Sequence, residues 1–104
     1  MEKLNGLKIT KKLIKEGMPD NSEACPIALA MRAKVDGIPR VNQVQTMIVK
    51  EGEGRSVWIN HTPELTDWIR RYDRGGYGNG QIPAPGPITL EINEAGELAI
   101  KKEE

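Results

Sequence analysis

The chain has 104 residues, with 15 basic and 15 acidic side chains, one cysteine and one histidine. This length predicts a single domain spanning residues 1–104, and the balanced charge gives no global field that would draw the protein onto nucleic acid or a membrane. One cysteine excludes an internal disulfide, and one cysteine with one histidine excludes a tetrahedral Cys/His metal site, which needs about four ligands.

Neither export nor membrane anchoring is predicted. The first residues lack the basic-then-apolar order of a signal peptide, and no apolar run approaches the ~20 residues of a membrane span. We therefore expect a cytoplasmic protein that uses no metal and no cofactor.

The first predicted elements are short. Leu7–Ile9 fits either a strand or an apolar lead-in to the following helix. Thr10 suits the N-cap of that helix, and Gly17 suits a left-handed stop after about two turns.

Residues 22–35 are predicted to form the central core helix. Their apolar side chains recur at helical spacing and continue round the helix, so little of it can face water. Ser22 suits the N-cap and Pro26 the first turn. Gly37 and Pro39 mark the end of the helix.

Two hairpins are predicted from alternating Val, Ile, Thr and Leu residues. The first pairs a strand at residues 41–49 with one at residues 56–59, and the second pairs residues 88–92 with residues 98–100. Glycine-containing turns separate the two strands of each pair.

A second main helix is predicted from Thr62 to about Gly75. Thr62 is a suitable N-cap and is followed by proline and glutamate, the preferred start of a helix. Its apolar stripe consists of Leu65, Trp68, Ile69 and Tyr72. A long Gly/Pro-rich loop at residues 75–87 follows, and residues 101–104 are expected to fray.

These elements predict an α+β fold. We expect about four mostly antiparallel strands in two hairpins, forming one sheet, with the two main helices and the short helix packed on one face.

The candidate ligand-binding residues border the glycine-rich loop. Guanidinium groups bind phosphate bidentately, and an aromatic ring stacks on a base, so this region suits an anionic, nucleotide-like ligand. His61, just before the second main helix, could meet a phosphate at the helix N-terminus, although an exposed residue without a ligand is the simpler interpretation. A flexible loop beside surface arginines is an equal alternative to the whole site. The predicted residues are Arg70, Arg71, Arg74, Tyr77 and His61.

Cys25 is the remaining chemical candidate. A thiol in the first turn of a helix has its pKa lowered by the dipole, and His61 is the only imidazole that could activate it. A small buried thiol is the commoner case, and we predict a structural role.

The central helix resembles one in short proteins of bacteriophage and prophage origin that have no established activity. The similarity rests on the Cys-Pro-Ile-Ala-Leu-Ala run of residues 25–30, preceded by a Thr-initiated short helix and followed by a hairpin and a helix ending in Tyr72-Asp73-Arg74-Gly75. It spans most of residues 9–92. Where such proteins carry a Pro-Phe-aromatic segment before the late strand, this chain has prolines at 83, 85 and 87 and no Phe. The resemblance implies a small protein acting in the cytoplasm of the bacterial host cell and implies no mechanism.

The sequence therefore predicts a small non-enzymatic, phage-type binding protein. It would sequester an anionic nucleotide-like ligand or modulate a host factor, as a homo-oligomer and without contacting nucleic acid or membrane. The first alternative is a protein–protein inhibitor or adaptor that uses the hairpin at residues 41–59 or the Pro-rich loop. The second is a Cys25-dependent enzyme.

Overall fold

The computed structural model describes residues 4–18, 21–50, 52, 54–75 and 85–101. Within these ranges the chain forms six strands and three helices. In chain order they are β1 (Leu7–Ile9), α1 (Lys11–Glu16), α2 (Pro26–Arg32), β2 (Ile38–Val41), β3 (Gln45–Lys50), β4 (Arg55–Asn60), α3 (Pro63–Gly75), β5 (Ile88–Ile92) and β6 (Leu98–Ile100).

The strands form two antiparallel sheets. One sheet has the order β1-β5-β6 and the other the order β2-β3-β4. The predicted α+β class is confirmed. β3 pairs with β4 and β5 with β6, as the two predicted hairpins require, but β3 also pairs with β2. The prediction of about four strands in one sheet is wrong, since the described residues contain six strands in two sheets. One extra strand is β1, which pairs with β5 so that Leu7 lies opposite Leu90.

The other extra strand arises because the predicted strand at residues 41–49 is interrupted. The side-chain oxygen Oδ1 of Asn42 accepts hydrogen bonds from the backbone amides of Val44 at 2.9 Å and Gln45 at 2.7 Å. An asparagine that binds backbone amides two and three residues ahead makes a turn. The chain therefore reverses at Asn42, and β2 and β3 lie side by side with Val41 opposite Thr46.

The central helix is shorter than predicted. α2 covers only Pro26–Arg32, and its N-cap is Cys25 rather than Ser22. The physical reason is Pro26, because a proline ring excludes the preceding residue from helical backbone angles. Cys25 is accordingly extended, with φ −69° and ψ 161°. Ser22 and residues 32–34 are exposed, so the segment is only partly buried.

Gly17 ends α1 for a different reason from the predicted one. Its φ is −69°, which is not left-handed. A Cβ atom at this position would lie 2.6 Å from Cδ of Pro26, so the glycine permits close packing of α1 against the start of α2. The predicted N-cap at Thr10 is confirmed, since its Oγ1 accepts from the Leu13 amide at 3.2 Å.

α3 follows the sequence prediction closely. Thr62 caps it through a 3.4 Å hydrogen bond from the Leu65 amide, and the four apolar residues of the predicted stripe are all buried. Tyr72 stacks on Trp68 with ring centroids 5.8 Å apart and donates its hydroxyl to the Ile14 carbonyl. The Trp68 indole N–H donates to the carbonyl of Gly86, which lies just before β5.

The helices do not cover one face of a single sheet. α2 contacts β1 of one sheet and β2 of the other, and α3 contacts β6. The sheets meet where His61 forms a parallel bridge with Leu98 and the Thr62 amide donates to the Leu98 carbonyl at 3.0 Å. Side chains from both sheets and from α2 and α3 form one apolar cluster.

In the part of the chain that the structure describes, no helix has the length and apolar character that crossing a membrane requires.

Candidate functional site

A pocket with both polar and apolar walls lies where three parts of the chain meet. Its volume is about 250 Å³. We call it the amide pocket, because three of its lining side chains are carboxamides. The lining residues are Asn21, Ser22 and Cys25 before α2, Val41, Asn42 and Gln43 at the end of β2, and Ile69 and Asp73 on α3.

Backbone and core contacts hold the walls of the amide pocket together. The Val41 amide donates to the Ser22 carbonyl at 2.8 Å, which joins the segment before α2 to β2. Ile69 and Asp73 are four residues apart and therefore share one side of α3. Ile69 is only 4% exposed and belongs to the core cluster. The pocket is therefore bounded by elements that the core positions.

The Asn42 side chain has a defined orientation in this pocket. Its Oδ1 is the acceptor for the amides of Val44 and Gln45, and only oxygen can accept from those groups. The backbone therefore distinguishes the oxygen end of the carboxamide from the nitrogen end. The NH₂ group is the end of Asn42 that a ligand can meet.

Asn21 repeats this arrangement on the opposite wall. Its Oδ1 accepts from the backbone amides of Glu23 at 3.0 Å and Ala24 at 3.1 Å. The turn leads into Cys25, the N-cap of α2. Asn21 and Asn42 thus both use their oxygen to hold the chain, which leaves an N–H donor for the pocket.

Gln43 connects the pocket to two of the predicted site residues. Its backbone carbonyl accepts from Nδ1 of His61 at 3.1 Å, and its side-chain Oε1 accepts from Nε of Arg70 at 3.3 Å. The structure therefore brings His61 and Arg70 to the same lining residue. The two residues do not share an exposed surface, because His61 is buried and Arg70 is exposed.

His61 is not the exposed pre-cap residue that the simpler interpretation expected. It is 7% exposed, and its Nε2 lies 2.6 Å from the hydroxyl of Thr46. Because the Gln43 carbonyl can only accept, Nδ1 carries the proton, and in the neutral ring Nε2 accepts from Thr46. Burial lowers the pKa of His61 and so favours this neutral form. Both ring nitrogens are already used within the protein.

Cys25 is a buried N-cap rather than an activated thiol. Its Sγ accepts from the Ala28 amide at 3.4 Å, and the residue is 6% exposed. Burial raises its pKa, and the nearby charge of Asp73 raises it further, which opposes the lowering expected from the helix dipole. The predicted burial is confirmed and the expected low pKa is wrong. The His61 ring has no free nitrogen with which to activate the thiol.

The predicted arginines lie on exposed parts of α3. A helix turns about 100° per residue, so Arg70 lies about 100° from Ile69, Arg74 about 100° from Asp73 and Arg71 about 200° from Ile69. Arg70 is joined to the amide pocket by its contact with Gln43, and Arg71 faces elsewhere. Tyr77 lies outside the described residues.

A larger concavity lies between the start of α3 and the β5–β6 hairpin. Its volume is about 580 Å³, and its lining includes Glu64, Glu91 and Lys101. Two carboxylates against one ammonium make it a poor site for an anion. We take the smaller amide pocket as the candidate functional site, because its lining residue Gln43 contacts Arg70 and His61 of the predicted site.

The sequence analysis missed Asn21, Asn42 and Gln43. The signal was available for the two asparagines, since asparagine before small or polar residues favours turns of this type. Their meeting in one pocket has no local signature. Among the described residues there is no group of three or more His, Cys, Asp or Glu side chains that could hold a metal ion.

Comparisons with protein-family models, with curated proteins and with solved structures find no match to this chain.

Proposed function

We propose that this chain is a small non-enzymatic, phage-type binding protein that sequesters a nucleotide-like anion in the bacterial cytoplasm. The neutral part of the ligand enters the amide pocket, and its phosphate lies outside against Arg70 and Arg74. A homo-oligomeric state belongs to the same proposal.

The observation that carries the proposal is the 3.3 Å contact between Arg70 Nε and Gln43 Oε1. It orients an exposed guanidinium beside a pocket lined by three carboxamides, a serine hydroxyl and one carboxylate. Arginine has five N–H donors, so the terminal nitrogens remain able to bind a phosphate bidentately. A pocket with a guanidinium at its edge suits a ligand that is neutral at one end and anionic at the other.

The charges around the pocket indicate which end of the ligand enters it. Asp73 lines the pocket, whereas a phosphate at Arg70 and Arg74 meets the opposite charge. The charged group of the ligand is therefore assigned to the arginine side.

The test measures binding of nucleoside monophosphates by isothermal titration calorimetry. We expect Arg70→Ala to weaken binding by about tenfold or more, since a charge-assisted hydrogen bond contributes about 1.5–3 kcal/mol. Arg74→Ala should act in the same direction and Arg71→Ala less. The matched control is Arg55→Ala. Arg55 is exposed and lies at the start of β4, whereas His61, which contacts the pocket residue Gln43, follows the end of that strand. Absence of binding by every monophosphate would refute the proposal.

Native mass spectrometry of protein purified from bacterial cells provides a second measurement. It reports the number of subunits and any retained small molecule together. A single-subunit species without a bound compound would count against both the oligomer and the retained ligand.

A second candidate function is supported by the exposed face of the β2-β3-β4 sheet. Arg40 lies opposite Met47, and Met47 opposite Trp58, so the three form a row across the strands. Trp58 is 57% exposed, which is unusual for so large an apolar side chain. This face is the part of the hairpin at residues 41–59 that would contact a host protein if the chain acts as an inhibitor or adaptor. Most of the Pro-rich loop lies outside the described residues.

Affinity capture from host lysate separates the two functions. The inhibitor hypothesis expects a stoichiometric partner that Trp58→Ser loses and that Val44→Ser retains, because Val44 is similarly exposed at 54% but lies in the turn between β2 and β3. Capture that is equal for both variants would exclude the sheet face as the binding surface.

A further inference from the structure

We infer that the amide pocket selects a pyrimidine ring with two carbonyl oxygens, as in uracil or thymine, over one with an exocyclic amine, as in cytosine. This inference rests on the proposed function and names the ligand class of the same site. It comes from the hydrogen bonds that the carboxamide oxygens of the pocket already accept within the protein.

Asn42 provides the clearest case. Its oxygen accepts two backbone hydrogen bonds, so the turn between β2 and β3 depends on that oxygen and holds the NH₂ end in place. Gln43 has its Oε1 on Arg70 and its backbone carbonyl on His61. Asn21 also hydrogen bonds through its oxygen, which accepts from two backbone amides of the described residues. The oxygens of Asn21 and Asn42 each accept two backbone hydrogen bonds, so these two carboxamides meet a ligand as N–H donors, and the NH₂ group of Gln43 adds a third donor.

A set of fixed donors favours a ligand edge that is rich in acceptors. Uracil and thymine present two carbonyl oxygens with one N–H between them. The carbonyls can accept from the carboxamides, and the ring N–H can donate to the hydroxyl of Ser22 or the carboxylate of Asp73, since a carboxylate accepts several hydrogen bonds. Cytosine replaces one carbonyl by an amine, which would place a donor against a donor.

The size and the apolar walls of the pocket agree with a single ring. About 250 Å³ is less than the ~300–1,000 Å³ of pockets that take drug-sized ligands. Val41 and Ile69 supply apolar surface on two sides, against which a flat ring can pack. The pocket is therefore compatible with a single-ring base.

The test uses neutral uridine and cytidine together with their monophosphates, measured by calorimetry on the full chain. We expect uridine to bind at least tenfold more tightly than cytidine, because a site built to hydrogen bond one group leaves groups unpaired when it binds the analogue. Neutral nucleosides remove the contribution of the phosphate.

Asn42→Asp is the diagnostic variant. Aspartate keeps an oxygen for the amides of Val44 and Gln45, so the turn is preserved, but it replaces the NH₂ donor by an acceptor. We expect uridine to bind at least tenfold more weakly and cytidine more tightly than in the unaltered protein. Asn5→Asp is the matched control, because the Asn5 oxygen likewise accepts a backbone amide, that of Ile92 at 2.7 Å, away from the pocket.

The outcomes separate this inference from the proposed function. Equal affinities for uridine and cytidine, or unchanged uridine binding in Asn42→Asp, would overturn the pyrimidine selection. If Arg70→Ala still weakened both monophosphates, the binding function would stand without it. If no nucleoside monophosphate bound at all, both would fail.

Discussion

Two turns of this protein are held by an asparagine side-chain oxygen but differ in whether the asparagine NH₂ group also has a partner. In the β5–β6 hairpin, Asn93 Oδ1 accepts from the Glu97 amide at 2.9 Å, and its Nδ2 donates to the Glu97 carboxylate at 3.2 Å. In the amide pocket, Asn42 Oδ1 likewise accepts backbone amides, and within the described ranges its side chain hydrogen bonds only through that oxygen. We call a polar group closed when both its donor and its acceptor have partners within the described protein, as in Asn93. We call it open when a donor or acceptor remains for a ligand, as in Asn42.

The same contrast separates His61 from the groups that line the pocket. His61 is buried, and both of its nitrogens have partners inside the protein. Closed polar groups hold a fold together, because a buried group that loses its partner keeps the cost of its lost hydration. Open groups at a pocket contribute little to the fold and remain available for a ligand. Substitutions should therefore affect stability in the first class and binding in the second.

The largest expected effect is that of removing the His61 ring. His61→Ala leaves the Thr46 hydroxyl and the Gln43 carbonyl without their partner at the junction of the two sheets. We expect the free energy of unfolding to fall by about 3 kcal/mol, as measured by urea denaturation.

Asn60→Ala is the control for this experiment. Asn60 precedes His61 and accepts one exposed hydrogen bond from Gln45 Nε2 at 3.1 Å. Because this bond is exposed to water, its loss should change the free energy of unfolding by about 0.5 kcal/mol or less. Similar losses for both variants would contradict the contrast between closed and open groups.

The next effect is a dependence of stability on pH. Burial lowers the pKa of His61 in the folded protein, so the unfolded chain takes up a proton at its ordinary pKa of about 6.5 while the folded protein resists it. Stability from this group is complete above about pH 6.5 and declines as the pH falls towards the folded pKa, by at most about 1.4 kcal/mol per pH unit.

Urea unfolding at about pH 7.5 and 5.5 measures this dependence. His61→Gln cannot titrate, and the chain has no other histidine, so the variant should lose less stability than the unaltered protein over this interval. Equal losses in the two proteins would mean that His61 does not resist protonation in the folded state.

The smallest effect compares the two asparagine turns directly. Asn93→Asp keeps the acceptor for the Glu97 amide but sets a carboxylate against the Glu97 carboxylate, and we expect thermal unfolding to show a loss of about 1 kcal/mol. Asn42→Asp retains its turn, and because Asn42 is exposed, the loss should be about 0.5 kcal/mol or less. Stabilities in the reverse order would show that the pocket turn, rather than the hairpin turn, is the closed one.

The sequence predicted those elements whose cause is local. Thr10 and Thr62 cap their helices, the stripe of α3 is buried, and β3 pairs with β4 and β5 with β6. Each depends on residues within about one or two turns, or on a short reversal between two alternating runs. The prediction of one strand at residues 41–49 failed because it gave more weight to the flanking β-branched residues than to the turn signal of Asn42. In the structure the turn forms.

The predicted length of the central helix was wrong because two local rules conflict. Its apolar spacing favoured a helix over residues 22–35, but Pro26 forces Cys25 into an extended conformation and so begins α2 there. The stronger, steric rule decided the boundary.

The sequence by itself therefore determined the α+β class, the caps and the apolar faces, because these follow from short-range sterics and periodicity. Only the tertiary structure decided that His61 is buried between Thr46 and Gln43, that the strands divide into two sheets, and that Asn21, Asn42 and Asp73 line one pocket. The physical reason is that these residues are far apart in the chain. Their contacts depend on how the two sheets pack around α2 and α3, which no local pattern specifies.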